Sequence, residues 1–221
     1  MKPSRSARHV SPVLVAIVGG SGSGKTWLAD KLLARFSSRA GHLSQDDFYR
    51  DRSHLSAERR AKLNFDHPRA IDWRCLENAL RDLAAGREAH VPDYDFATHS
   101  RRKRLKTITP KPLLVVDGLW LLRRPSIRRL FRLSVFLDCS TRTRLLRRVA
   151  RDLISRGRTR ASVRGQFWRT VEPMHVRYVA PQARCAEVVL TKPCSHQDVH
   201  KLAQRISLIL ASLKERTFAS P

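Results

Sequence analysis

The run Gly19-Gly20-Ser21-Gly22-Ser23-Gly24-Lys25-Thr26 has the spacing G-x-x-x-x-G-K-[ST]. A loop of this kind lets the backbone wrap a phosphate chain such as that of ATP. Its amides and the helix that follows supply donors and positive potential, Lys25 adds charge, and the Thr26 hydroxyl offers a ligand to Mg²⁺. Two acids are placed to act on what the loop holds. Asp117 ends the apolar run Leu113-Leu114-Val115-Val116, where a carboxylate either completes a Mg²⁺ shell or caps the next turn. Asp46, in Ser44-Gln45-Asp46-Asp47-Phe48-Tyr49, either orients a hydroxyl nucleophile and accepts its proton, or stands as a loop carboxylate or second Mg²⁺ contact.

The elements that must position these groups follow from the hydropathy pattern. Val13–Val18 reads as a buried parallel strand and Lys25–Phe36 as a helix, with a second strand over His42–Gln45. Leu113–Val116 and Ser134–Leu137 are two more buried strands, each followed by a carboxylate, and Glu187–Leu190 is a last one. The predicted fold is therefore α/β, a mostly parallel sheet flanked by helices, whose ligands gather at the carboxyl ends of the strands. From Thr141 the spacing turns helical, with Leu145, Leu146, Val149 and Leu153 on one face and Arg144, Arg148 and Arg151 on the other. That basic face points either at solvent or at phosphate. Val199, Leu202, Ile206, Ile209 and Leu213 mark an amphipathic closing helix. Between the second and third strands lies an insertion, residues 50–112, with a helix over Trp73–Ala85 and short strands within His90–Thr109; a substrate pocket would be built there.

At 221 residues and 42% hydrophobic composition the chain accommodates one α/β domain with a sizeable core. Lysine and arginine number 44 against 19 acids, a formal charge of +25 that draws phosphates of any origin. Runs such as Arg101-Arg102-Lys103-Arg104 lie outside the chemical motifs and read as solvated surface. The four cysteines form neither a C-x-x-C pair nor a ligand spacing, which argues against a zinc site or disulfide framework and for a reducing cytoplasm. The longest uniformly apolar stretch, Val13–Val18, is far too short for a membrane span, and the basic start from Met1 to Pro12 lacks a hydrophobic segment long enough for a signal peptide. No membrane partner is expected.

Six segments together resemble the uridine kinase (uridine–cytidine kinase) family of P-loop kinases: GGSGSGKT, SQDDFY (44–49), NFDHPRAID (64–72), PDYDFATHSR (92–101), VVDG (115–118), and RRVARD with the following RGR (147–158). They run from Val13 to about Leu190 with the family's order and similar spacing. The resemblance implies that Asp46 is the general base for a nucleoside 5′-hydroxyl, that Asp66 grips the ribose hydroxyls, and that Tyr94 and His99 read the pyrimidine edge. It places Phe48, Tyr49, Phe65 and Phe96 in the nucleoside pocket, with Arg148, Arg158 and Gln166 reaching it. Arg151 would belong to a lid over the ATP phosphates. Taken alone, Tyr94 and His99 read as packing residues. Asp117, where many relatives carry Glu, and the bulky Trp120 depart from the pattern.

The organisation expected is a basic tail at 1–12, a single P-loop kinase domain over 13–215 with the insertion at 50–112 and a lid at 155–166, and a tail at 216–221. The expected reaction is ATP plus uridine or cytidine giving ADP plus UMP or CMP, with Mg²⁺. A homo-oligomer remains open. One rival is a related kinase for a nicotinamide-riboside, pantothenate or phosphoribulose type of substrate; the other is a nucleic-acid-associated ATP-binding module, which the absence of a nucleic-acid-reading motif disfavours.

Overall fold

The computed structural model of the chain describes residues 12–96 and 98–218. The basic tail expected at 1–12 lies outside the described residues except for Pro12. Five strands form one parallel sheet: β1 (Val13–Gly19), β2 (Ala40–Ser44), β5 (Leu113–Gly118), β6 (Leu133–Leu137) and β7 (Val188–Leu190). They are ordered β2-β5-β1-β6-β7. In the register of the central pair, Val13 lies beside Leu113 and Val18 beside Gly118. Every residue of β1 is buried, as a continuous apolar run between two neighbours requires.

Alternation along β1 divides the core in two. Val13, Val15 and Ile17 pack against helix α1 (Lys25–Phe36) and the C-terminal helix α8 (His196–Phe218), whose Leu202, Ile206 and Leu210 face inward. Leu14, Ala16 and Val18 face the other side, where the insertion supplies Trp73, Leu76, Leu80 and Leu83 of α3 (Trp73–Ala84). α8 continues through Phe218, so the part of the expected tail at 216–218 is helical; residues 219–221 lie outside the description.

The insertion also holds the short helix α2 (Ala57–Ala61) and an antiparallel hairpin, β3 (Ala89–Asp95) with β4 (Ser100–Ile108). The register shifts between Pro92 and Tyr94, so the hairpin ladder is irregular just before the end that carries Tyr94 and Phe96. Arg101, read from the sequence as solvated, instead ties this hairpin down. Its Nε donates to the Tyr49 carbonyl at 2.8 Å, and its Nη2 sits 3.3 Å from Asp72. Arg102 and Lys106 are likewise countered by Asp93 at 3.4 and 3.1 Å.

After β5 come α4 (Pro125–Arg128), α5 (Thr141–Arg156), α6 (Arg160–Gln166) and α7 (Glu172–Met174), the last flanked by two wide helical turns at Phe167–Val171 and His175–Val179. The two faces of α5 are not those that hydropathy alone suggests. Arg144 and Arg148 are 1% and 6% exposed, while Leu146 is 61% exposed. Arg144 and Arg148 are buried because Glu172 and the fully buried Asp152 give their guanidiniums partners, while Arg151 on the same face stays 42% exposed over the cavity.

Candidate active site

The carboxyl ends of β1, β5 and β2 lie side by side, so the glycine loop, Asp117 and the turn carrying Asp46 meet at one edge of the sheet. The loop turns tightly. Gly22 and Gly24 have φ of 81° and 102°, and a Cβ on Gly22 would run into the Arg144 carbonyl. Helix α1 begins at Lys25, its first turn aimed at the loop. Lys25 Nζ donates to the Gly19 and Gly20 carbonyls at 3.0 and 3.1 Å. Burial lowers the Lys25 pKa, against Asp117 and Asp46, whose negative charges favour the ammonium.

Asp46 and Asp47 are told apart by their neighbours. Asp47 pairs with Lys106 at 2.7 Å, whereas Asp46 lines the cavity. The Asp46 amide donates to Ser44 Oγ at 3.3 Å, so a helical turn starts there and β2 ends at Ser44 rather than at Gln45. Gln45 turns inward instead, its Oε1 accepting from the Leu119 and Trp120 amides at 2.9 Å each. That clamp fixes the turn after Asp117 against the turn before Asp46.

Asp117 is buried and lies 3.0 Å from His42 Nε2 on β2, a contact that no sequence signal indicated. Burial pulls the His42 pKa down, but the hydrogen bond to Asp117 and its charge outweigh that and leave it raised.

One cavity of about 1240 Å³ joins the glycine loop, Asp46 and Asp117. At one end lie Ser21 through Thr26, Asp46 and Asp117, with Arg147, Arg148 and Arg151 of α5 above them. At the other, Tyr49, Phe65, Asp66, Tyr94, Phe96 and His99 form an aromatic chamber with one carboxylate. Tyr49 meets Phe65 edge-on at 5.6 Å, Tyr94 meets Phe96 at 5.3 Å, and Phe65 stacks on His99 at 4.5 Å. The Tyr94 hydroxyl is buried with no hydrogen-bond partner among the described residues, and burial pushes its pKa up to about 12, so it stays a neutral donor. Arg158 and Gln166 close the same cavity from α6 and the turn before it.

Most of the residues singled out from the sequence thus share this one space. Phe48 does not: it is fully buried and packs in the core with Val18, Val116 and Trp120. Its ring supports the Asp46 turn from beneath instead of lining the chamber. Gly19 and Gly20 act through their backbone, as the Lys25 contacts show.

The arginines are held by a carboxylate that carried no role in the sequence reading. Asp152 lies 2.8 Å from Arg151 Nη2 and 3.5 Å from Arg158 Nη1. It stands one helical turn after Arg148, 3.7 Å from its Nε. Arg148 donates to Ser21 Oγ at 2.8 Å and to Gln166 Oε1 at 3.0 Å, and Arg158 also donates to Gln166, so α5 and α6 are bridged across the loop. Arg147 donates to the Ser23 carbonyl at 3.1 Å. An acid at i+4 from an inward arginine was the signal for Asp152. Trp27, Leu63, Leu119 and Cys194 also line the cavity, and nothing in their spacing marked them.

The donor set fits a phosphate chain and a hard cation. The glycine cradle would be filled by a Cβ, and Ser23 Oγ is buried without a partner. The Thr26 hydroxyl, Asp46 and Asp117 offer oxygen ligands only. No cluster of three or more His, Cys, Asp or Glu suited to a metal occurs among the described residues, and no helix among them is long and apolar enough to cross a membrane.

The family description "Phosphoribulokinase / Uridine kinase family" matches residues 14–199. A uridine kinase of Chloroflexus aurantiacus is 40% identical over 179 residues, 80% of this chain and 86% of that protein. A uridine kinase of Clostridium perfringens is 35% identical over 205 residues, 92% and 96% of the two chains. The solved structure of phosphoribulokinase from Rhodobacter spheroides shares the fold at a TM-score of 0.61 and 19% identity, covering 82% of this chain and 70% of that one. A phosphate loop, two strand-end acids and an arginine wall over one cavity are thus found in a chain that belongs to the phosphoribulokinase/uridine kinase family.

Proposed function

We propose that the protein transfers the γ-phosphoryl group of ATP, with Mg²⁺, to the 5′-hydroxyl of uridine or cytidine, re-using free pyrimidine nucleosides in the cytoplasm. The observation that carries this reading is the single cavity joining a phosphate loop to an aromatic chamber with one carboxylate, Asp66, at the scale of two ligands placed end to end. Relatives of closely similar length act on uridine, as their names state.

The residues divide the work. Gly19 to Gly24 and Lys25 hold the phosphates, and Arg151, Arg147 and Arg148 face the transferring group, which asks for little covalent help and much charge stabilisation. Thr26, Asp117 and Asp46 are the oxygen ligands available to Mg²⁺, which when bound neutralises charge on the phosphates. Asp46 orients the 5′-hydroxyl and takes its proton. Asp66 accepts from the ribose hydroxyls, Tyr94 and His99 address the base edge, and Tyr49, Phe65 and Phe96 enclose it. The turn at Gly157, which has φ of 60° and open space around it, together with α6, is the lid that carries Arg158 and Gln166 over the substrates.

An ADP-release assay with Mg·ATP against ribonucleosides, deoxyribonucleosides, nicotinamide riboside and pantothenate tests the reading. Turnover confined to uridine and cytidine is expected; turnover on pantothenate or nicotinamide riboside alone would overturn it.

A further inference from the structure

A second cavity, of about 630 Å³, lies behind the wall of the nucleoside chamber. Arg50, Arg69, Arg123, Arg124, His67 and Tyr178 line it, and no carboxylate does. The charge of Arg124 is felt by Glu77, and Arg50 Nε donates to the Arg69 carbonyl at 3.3 Å, but no carboxylate enters the cavity wall itself. Four cations gathered in one concavity repel one another, and a concavity with charge of one sign concentrates the opposite ion. Part of the cluster is already braced: Arg123 lies over the Tyr178 ring at 4.9 Å and Arg124 over Trp73 at 4.7 Å. Planar forks held against rings keep their N–H edges directed outward, the geometry that suits phosphate oxygens.

The hydrogen bonds also leave a donor facing the cavity. The Arg69 amide donates to His67 Nδ1 at 3.0 Å, so in the neutral ring the proton sits on Nε2. Nε2 is 3.2 Å from the Tyr178 hydroxyl, which therefore accepts and keeps its own proton to give. Burial lowers the His67 pKa, and Arg69, Arg177 and Arg123 lower it further, consistent with a neutral ring in cationic surroundings.

We infer that this cavity is an effector site for a phosphate chain, free or carried on a nucleotide, and that its occupancy is felt in the nucleoside chamber through the 65–68 segment. Phe65 and Asp66 line the active-site cavity, while the next two residues, His67 and Pro68, line this one. The Pro68 carbonyl accepts from Trp73 Nε1 at 2.9 Å and the Asp66 amide donates to Asn64 Oδ1 at 3.0 Å, so the segment is a short tied unit in which a displacement of His67 reaches Asp66. An anion drawn to Arg69, Arg123 and the Tyr178 hydroxyl pulls on His67, and with it on the neighbouring Asp66. The coupling, though not the binding, rests on Asp66 holding the nucleoside.

Titration calorimetry with tripolyphosphate separates this site from the glycine loop. In Lys25→Ala, whose glycine loop is weakened but keeps its backbone donors, tripolyphosphate still binds; adding Arg69→Ala and Arg123→Ala, both exposed side chains, weakens one binding event roughly 100-fold, about tenfold for each charged donor removed, and that loss is the readout of this cavity. UTP is run beside it: equal affinity assigns recognition to the phosphate chain alone, and tighter UTP binding that the same double change removes assigns it to a nucleotide. Two lost arginines out of 44 Lys and Arg barely alter the protein's overall field, so binding that ignores them is diffuse attraction and overturns the site. No binding in Lys25→Ala overturns it as well. For the coupling, the uridine Kd in Lys25→Ala shifts about fivefold or more with tripolyphosphate and not in the triple variant. An unchanged Kd overturns the coupling, whereas failure of uridine to bind at all counts against the proposed function and leaves the calorimetry standing.

Discussion

The two ends of the active-site cavity are built on different principles. At the phosphate end the centre of the site is one continuous eight-residue segment, with Lys25 held at 3.0 and 3.1 Å by carbonyls of that same segment, and Asp46, Asp117 and the α5 arginines are set around it. At the nucleoside end they are side chains brought from four separated segments: Tyr49, then Phe65 and Asp66, then Tyr94 through His99, and across from them Arg158 and Gln166. A backbone site depends on glycine spacing and survives most substitutions around it. A side-chain site depends on the packing that converges its walls, which is where one relative can differ from another in substrate.

Breaking the phosphate end is expected to have the largest effect. Lys25→Ala lowers turnover on the order of 10³-fold with every nucleoside while circular dichroism stays that of the wild type. Because the glycine turn itself is untouched, near-normal turnover would mean that backbone donors suffice and Lys25 is dispensable. Asp46→Asn lowers kcat by on the order of 10² to 10⁴-fold with ATP affinity little changed, since the glycine loop, Lys25, Thr26 and Asp117 still hold Mg·ATP while the acceptor for the hydroxyl proton is gone. Turnover in Asp46→Asn close to wild type would remove the base role.

The same contrast explains what the sequence could and could not disclose. Helix Lys25–Phe36 and the strands at Val13, Leu113 and Leu133 were legible to within a residue or so because a buried parallel strand needs an unbroken apolar run and the loop needs its glycines. The aromatic chamber was visible only through resemblance, since no periodicity links Tyr49 to Phe65 or His99. For α5 the hydropathy stripe left the basic face pointing either at solvent or at phosphate, and Arg148 and Arg151 line the cavity. Period 3.6 finds two faces but does not say which is inside; Asp152, Gln166 and Glu172, distant from one another in sequence or role, make burial of Arg144 and Arg148 tolerable. His42 against Asp117 was invisible for a similar reason, because the pair forms only once β2 lies beside β5.

Asp152 tests how far the arginine wall belongs to the phosphate end. It is fully buried and serves Arg148, Arg151 and Arg158. Asp152→Asn leaves those cations without their countercharge, costing about 3 kcal/mol or more in urea unfolding. A loss under about 1 kcal/mol would mean the arginines are held by Gln166 and Ser21 alone. His175, packed behind Gly20, offers a smaller handle on the same region. Burial, and then Arg144, lower its pKa to about 4. The folded state therefore binds fewer protons than the unfolded one, so this stability is full above pH 6.5 and is lost as pH falls toward 4, up to about 3 kcal/mol. His175→Gln should flatten the stability profile over that window, and an unchanged slope would exclude His175 as its source.

The smallest expected effect is the one that most sharpens the comparison, because it asks whether the nucleoside end reads its ligand by a single charged side chain. Asp66 lines the chamber, and its amide is fixed by Asn64 Oδ1 at 3.0 Å, which sets the backbone that carries the carboxylate. A carboxylate accepting from both ribose hydroxyls loses one donor when the substrate is deoxyuridine, and the cost of under-satisfying a charged group in a part-buried site is roughly 1 to 3 kcal/mol. That corresponds to about 10- to 100-fold in kcat/KM in favour of uridine. In Asp66→Ala the ratio should collapse toward one, mainly because uridine is used less well, while the ATP KM set at the glycine loop stays put. Equal use of both sugars by the wild type, or an unchanged ratio in the variant, would show that the aromatic walls and not Asp66 select the sugar. A ratio that collapsed together with a raised ATP KM would show instead that the two ends do not act independently.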